Sequence, residues 1–202
     1  MKHFDIITIP DPVLKMVSTP IEGITADIKE QAEAMLAAMY DSHGIGLAAN
    51  QVGIANRLFV MDLDPASWAY EGEEKGGVLR IGAARPSGED EGSEEEAAPK
   101  LFPKVFINPE ITWASDQKSV YEEGCLSIPR HYADVERPAK VRVKYIDLSG
   151  NTVEEEAEGL VSHCVQHEID HLNGVLFIDY LSSLKRNMII RKMEKAKKLG
   201  DL

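Results

Sequence analysis

Little in this chain would cross-link it, anchor it in a bilayer or bind polyanions along its length. Two cysteines in 202 residues, Cys125 and Cys164, are too few for a disulfide framework. No apolar run approaches the roughly 18 residues that a membrane helix requires. The opening Met1-Lys2-His3-Phe4-Asp5 lacks the charged-then-apolar order of a secretory signal and the Arg-rich, acid-poor character of a transit peptide. These absences lead us to expect a cytoplasmic protein with no membrane contact. Basic residues are outnumbered 22 to 34, giving a net charge of −12, which disfavours a body that binds nucleic acid generally. Aromatics supply only 6%, yet 44% of the residues are hydrophobic, enough at this length for one domain with a substantial core over 1–202.

The shortage of positive charge is uneven. Lys185, Arg186, Arg191, Lys192, Lys195, Lys197 and Lys198 face only Glu194 and Asp201 near the end of the chain, a local +5 that leaves −17 on residues 1–184. A basic helix on an acidic body is either a contact for RNA or an acidic partner, or simply a solvated face. Residues 64–103 depart in the other direction, with ten acidic residues, six glycines and four prolines. That composition predicts a long surface insertion without a core-forming pattern, although Trp68, Tyr70, Val78, Leu79 and Ile81 could dock part of it.

Elsewhere the hydrophobic periodicity is regular. Residues 26–41 carry Ile28, Ala32, Met35, Leu36 and Met39 at helical spacing. Strands are expected at 4–9, at 57–62 and at 105–108, the last closed by Pro109. Residues 141–147 alternate and turn through Ser149-Gly150-Asn151 into 152–157, a hairpin. Helices are expected at 159–173 and 182–199, the latter with Leu184, Met188, Ile189 and Met193 as its apolar side. The fold class read from these segments is α+β, mostly antiparallel strands packed around a central helix, with a C-terminal helix.

That central helix carries His167-Glu168-Ile169-Asp170-His171. Residues four apart share a face, so His167 and His171 can hold one divalent metal, with Glu168 on the adjoining flank to take a proton from a water the metal activates. Asp170 faces away and reads as a hydrogen-bonding group rather than a ligand. His163 lies on the same face as His167 and His171, but it is about 12 Å along the axis from His171, too far to share an ion with both. The third ligand decides the class. Where a histidine extension of the motif would place it, the chain has Phe177, and the one downstream glutamate, Glu194, sits among lysines. Cys125 is the better candidate, because one thiolate and two imidazoles fill three corners of a tetrahedron and leave the fourth open.

Three blocks stand in order along the chain: Gly44-Ile45-Gly46-Leu47-Ala48-Ala49-Asn50-Gln51, Glu123-Gly124-Cys125-Leu126-Ser127 and Gln166-His167-Glu168-Ile169-Asp170-His171. Together they resemble the signatures of the peptide deformylases, G-x-G-L-A-A-x-Q, E-G-C-L-S and Q-H-E-x-D-H, without a substitution. The likeness runs from Pro10-Asp11-Pro12 to the helix after Tyr180, the acidic insertion excepted. It implies a metal-dependent hydrolase that removes the formyl group from the N-terminal formyl-methionine of nascent polypeptides and releases formate. It implies Fe²⁺ as the native ion, with Zn²⁺, Ni²⁺ or Co²⁺ as replacements, held by Cys125, His167 and His171. Glu168 would move the proton, and the Gln51 side-chain amide and Leu126 backbone N–H would donate to the oxyanion.

The same resemblance places Leu160, His163 and Cys164 on the wall of the pocket for the substrate's first side chain, where a histidine makes the wall more polar. An extended peptide would add a strand beside Ile45, Gly46 and Gly124. Tyr132 stands where many relatives carry an arginine that holds the substrate backbone. Glu123 has a structural part, as an ion pair or a backbone acceptor, with Arg137 and Arg142 as candidate partners. The basic helix over 185–199 becomes a candidate ribosome contact, and a monomer is expected. Two rival readings are a metalloendopeptidase and a non-catalytic metal-binding or ribosome-associated adaptor. The intact set of Gln51, Cys125 and Glu168 argues against the adaptor.

Overall fold

The computed structural model describes residues 3–63 and 102–201. The acidic stretch therefore lies outside the described residues except at its end, where Pro103 already opens a strand rather than closing a loop. In chain order the elements are α1 (Ala26–Asp41), β1 (Gly46–Ala48), β2 (Leu58–Asp62), β3 (Pro103–Ala114), β4 (Lys118–Glu123), β5 (Ala133–Pro138), β6 (Lys140–Ile146), β7 (Thr152–Glu158), α2 (Gly159–Leu172) and α3 (Ser183–Leu199). Among the described residues β1-β2-β3-β6-β7 form one sheet in that order, every pair antiparallel, and β4-β5 form a second. The expected α+β class and central helix are what the chain forms.

Burial shows why α2 is the centre. Of its 14 residues, 12 are buried, so it packs on every side, as a helix without a solvent face must. Val161, Cys164, Val165, Ile169 and Leu172 enter a core with Phe59, Phe106 and Tyr145 of the large sheet. Its other side meets the β4-β5 hairpin. Helix α1 covers the neighbouring part of the sheet, Ala32, Met35 and Met39 lying with Leu47, Leu58 and Val60. The Thr25 side chain accepts from the Ile28 N–H and fixes where α1 begins.

Three expectations need correction. Residues 4–9 form no strand, although Ile7 N–H donates to Gln51 O and Ile9 N–H to Ser127 O. Their backbone therefore ties together two separate loops instead of one ladder. Pro109 does not end its strand, because β3 continues to Ala114 across a register shift between Ile107 and Glu110. Such an irregularity accommodates a residue with no N–H to donate. Beside it Asn108 adopts φ 51°, and its side-chain amide pairs with both the N–H and the carbonyl of Ile21. Finally, only Ile189 and Met193 of α3 are buried, whereas Leu184 and Met188 are 73% and 52% exposed.

Helix α2 must stop where it does. Gly174 follows it at φ +73°, and a Cβ there would lie 2.7 Å from the carbonyl carbon of Lys15 and closer still to its oxygen. Both the backbone conformation and the contact require glycine. Gly174→Ala should cost about 2 kcal/mol or more of stability, at the upper end of ordinary point substitutions, read as a lowered urea midpoint. An unchanged midpoint would contradict this account of the helix end.

Candidate metal centre and active site

Three elements converge at the middle of α2. The turn after β4 carries Cys125, closed by Ile128 N–H donating to Cys125 O. Helix α2 carries His167, Glu168 and His171, and the Ala49–Val52 turn after β1 carries Asn50 and Gln51. The Asn50 amide donates to His171 O at 2.5 Å, pinning that turn to the end of the metal helix.

Cys125, His167 and His171 are all buried, and one donor atom from each lies within 4.8 Å of the others. His171 Nε2 is 3.2 Å from Cys125 Sγ and 3.2 Å from His167 Nε2. Around a tetrahedral ion with bonds of 2.0–2.3 Å, ligand atoms stand about 3.3–3.8 Å apart. The donors thus nearly have the required spacing, and their soft-plus-borderline chemistry suits a transition metal. Burial keeps His171 well below its ordinary pKa, assisted by the positive charge of His167 and Arg137. The hydrogen bonds of His167 to Cys125 and Glu123 instead outweigh its burial and raise its pKa, so a metal ion binding there displaces a proton from His167. Neither alternative third ligand is present: Phe177 packs its ring 6.4 Å from that of His167, and Glu194 is exposed on α3.

Glu123 fixes the orientation of His167. It is 0% exposed and accepts from Arg137 Nε at 2.6 Å, Arg137 Nη2 at 3.0 Å and His167 Nδ1 at 2.9 Å. Burial opposes its charge, but the hydrogen bonds from Arg137, His163 and His167 outweigh this and hold the carboxyl well below the usual carboxylate range. Of the two candidate arginines, Arg137 is therefore the partner. Arg142 instead pairs with Glu156 on the neighbouring strand, 3.5 Å away. Arg137 also donates to Asp170 at 2.7 Å, and Tyr180 Oη donates to the same Asp170 oxygen at 2.8 Å. Asp170 is thus a hydrogen-bonding group on the far side of α2, as its helical position indicates.

Glu168 is placed differently. It is buried, and its Oε2 has no hydrogen-bond partner among the described residues. Burial pushes its pKa up to about 7, with the His167 charge opposing and Glu123 adding to the rise. A Cβ on residue 46 would lie 2.9 Å from the Glu168 carboxyl carbon. Glycine at 46 therefore lets this carboxylate close against β1. Gln51 Oε1 accepts from Ala48 N–H, and its Nε2 reaches Ser127 Oγ at 3.1 Å and Cys125 Sγ at 3.4 Å. Its amide therefore sits at the edge of the thiolate.

The remaining expected residues surround this group. Ile45 is buried, with its carbonyl accepting from Asp62 N–H, and Gly46 pairs with Met61. Gly124 and Leu126 flank Cys125 in sequence, and the Leu126 side chain lies against Gly44. Leu160, His163 and Cys164 are buried in α2, and Tyr132 is half-buried ahead of β5. Burial raises the Cys164 thiol far above its ordinary pKa, with Glu168 and Glu123 adding to the effect, so it packs rather than reacts. Sequence reasoning missed Asn50 and Tyr180. Asn50 occupies the variable position of its block, while Tyr180 lies outside every motif.

The sequence model of the polypeptide deformylases matches residues 3–187. A peptide deformylase of Rhizobium meliloti (strain 1021) is 51% identical over 193 residues, covering 96% of this chain and 93% of its own. The crystal structure of peptide deformylase from Ehrlichia chaffeensis superposes with a TM-score of 0.78 at 32% identity over 100% of both chains. The same Ehrlichia enzyme in complex with actinonin gives a TM-score of 0.78 at 33% identity, over 96% of this chain and 98% of that one.

Proposed function

The chain belongs to the peptide deformylase family, metal-dependent hydrolases that remove the N-formyl group from newly synthesised polypeptides, and we propose which of its residues carry the reaction. The observation that carries the assignment is the meeting of Cys125 with His167, His171 and the buried Glu168 carboxylate, the last three from one helix. Cys125, His167 and His171 hold the ion, Fe²⁺ in the native protein, with Zn²⁺, Ni²⁺ or Co²⁺ able to replace it. When bound, the ion supplies Lewis acidity, polarising the formyl oxygen and making the attacking water more acidic.

Glu168 takes the proton of the attacking water and passes it to the departing amine nitrogen. Its raised pKa suits it to do both near neutrality. The Gln51 amide and the Leu126 backbone N–H donate to the developing oxyanion, a contribution for which one donor is commonly worth about 10²–10³ in rate. The substrate main chain lies along β1, an edge strand of the large sheet, beside Ile45, Gly46 and Gly124. Leu160, His163 and Cys164 form the wall for the first side chain. Both ring nitrogens of His163 are engaged, by Ser119 and Glu123. With the side chain also 0% exposed, it offers the first substrate side chain no polar group, which favours methionine despite the polar residue type. Tyr132 gives contacts further along the peptide that differ from those of an arginine.

The enzyme works in the cytoplasm as a monomer, where formylated chains emerge. Its α3 surface approaches the ribosome, because Arg191, Lys192, Lys195, Lys197 and Lys198 are all exposed. Reversing Lys192, Lys195 and Lys198 to Glu should abolish co-sedimentation with ribosomes at low salt without altering turnover of a free tripeptide. Unchanged co-sedimentation would remove the ribosome contact.

The deciding experiment is formate release from a formyl-Met tripeptide by protein loaded with Fe²⁺ under anaerobic conditions. Glu168→Gln should lower kcat/KM by at least about 10². The wild-type profile should rise with pH and level off at or below about 7, since the ionised carboxylate is the base and a bound cation lowers its pKa further. Internal cleavage of the peptide with no formate would favour the endopeptidase instead. Competition by actinonin, the ligand of the Ehrlichia complex, would support the peptide site.

A further inference from the structure

Glu123 has one more partner than the metal centre described above uses. One helical turn before His167, His163 is 0% exposed. Its Nδ1 lies 3.4 Å from Glu123 Oε1, and its Nε2 lies 2.9 Å from Ser119 Oγ on β4. Its ring rests on that of Tyr121, with centroids 4.4 Å apart. The other Glu123 oxygen takes the hydrogen bond from His167.

Chemistry orders this chain of contacts. An ionised carboxylate only accepts, so both histidines must present N–H groups to Glu123 through Nδ1. In the Nδ1–H tautomer of His163 the Nε2 is left with a lone pair, to which the Ser119 hydroxyl donates. Hydrogen bonds consequently converge on Glu123 from two sides. From one side comes Ser119 through His163, and from the other comes His167 through Nδ1, which leaves its Nε2 turned toward His171. Arg137 neutralises the carboxylate, but its fork lies along a single edge of it. The longer contact from His163 arrives at the oxygen that His167 does not use.

We propose that Ser119 and His163 are positioning residues for the metal centre, the Ser119–His163–Glu123 chain holding the Glu123 carboxylate in the rotation that presents His167 Nε2 to the ion. This rests on the ligand assignment made above. It differs from a packing role for His163, because a side chain that merely filled space could be replaced by another of similar size without disturbing the ion.

The test compares wild type, His163→Leu, His163→Gln and Ser119→Ala by two readouts that do not involve turnover. The first is the rate of Zn²⁺ loss to a chelator, and the second is the absorption of Co²⁺-loaded protein. His163→Leu should weaken metal retention by about tenfold, the lower end of the range for residues that orient a ligand, and should shift the Co²⁺ bands. His163→Gln, whose amide can still donate to Glu123, should restore most of the retention. Ser119→Ala should change retention in the same direction by a smaller factor.

Folded variants with wild-type Zn²⁺ loss and wild-type Co²⁺ spectra would overturn the proposal and leave His163 as packing. If His163→Leu does not fold, Ser119→Ala decides: faster loss supports the chain, and an unchanged rate overturns it. A wild-type Co²⁺ spectrum with no thiolate band that Cys125→Ala removes would overturn the ligand assignment and this chain together. A normal thiolate band with unaffected variants would overturn the chain alone.

Discussion

Glu123 lies sealed between the β4-β5 hairpin and α2, where its carboxylate accepts hydrogen bonds from Arg137, His167 and His163. An unpaired buried charge would be untenable there, so the guanidinium of Arg137 is part of the same unit. Removing either member of such a pair leaves the other uncompensated, which costs roughly 3–5 kcal/mol in comparable cases. What this unit provides is direction. Because the carboxylate cannot donate, His167 must turn its Nδ1–H toward it, which directs Nε2, the nitrogen that would bond a metal, toward His171.

The architecture follows from that constraint. A helix with almost no solvent face needs cover on both sides, and the large sheet and the small hairpin supply it. The hairpin face against α2 is where the charged pair sits, while the sheet face is apolar. Glu168 lies one residue from His167 yet has no hydrogen bond to an arginine among the described residues. It is left buried with its Oε2 unpartnered and its pKa raised to about 7, while Glu123 is held ionised. Two glutamates close together thus have opposite protonation behaviour, one anchoring a ligand and the other free to carry a proton.

Much of this was legible in the sequence, for identifiable reasons. The i, i+4 histidines, the adjoining glutamate and the separate cysteine define a metal centre by spacing and donor type. The apolar periods of α1, α2 and the β6-β7 hairpin come directly from their packing. The β4-β5 hairpin was not legible, because its inward positions include Glu123 and Arg137, so the alternation that marks a strand is not an alternation of apolar residues. The continuation of β3 past Pro109 was hidden because the backbone solves the missing N–H with a bulge. Ser119 has no motif around it, and only the fold brings it to His163.

The most direct test of the account is the protonation pattern of His167, read from imidazole nitrogen chemical shifts and N–H couplings in isotope-labelled, Zn²⁺-loaded protein. Orientation by Glu123 requires a proton on Nδ1, hydrogen-bonded to that carboxylate, and a metal-bonded Nε2. A proton on Nε2 with coordination through Nδ1 would contradict it, since Glu123 would then face a nitrogen with nothing to donate.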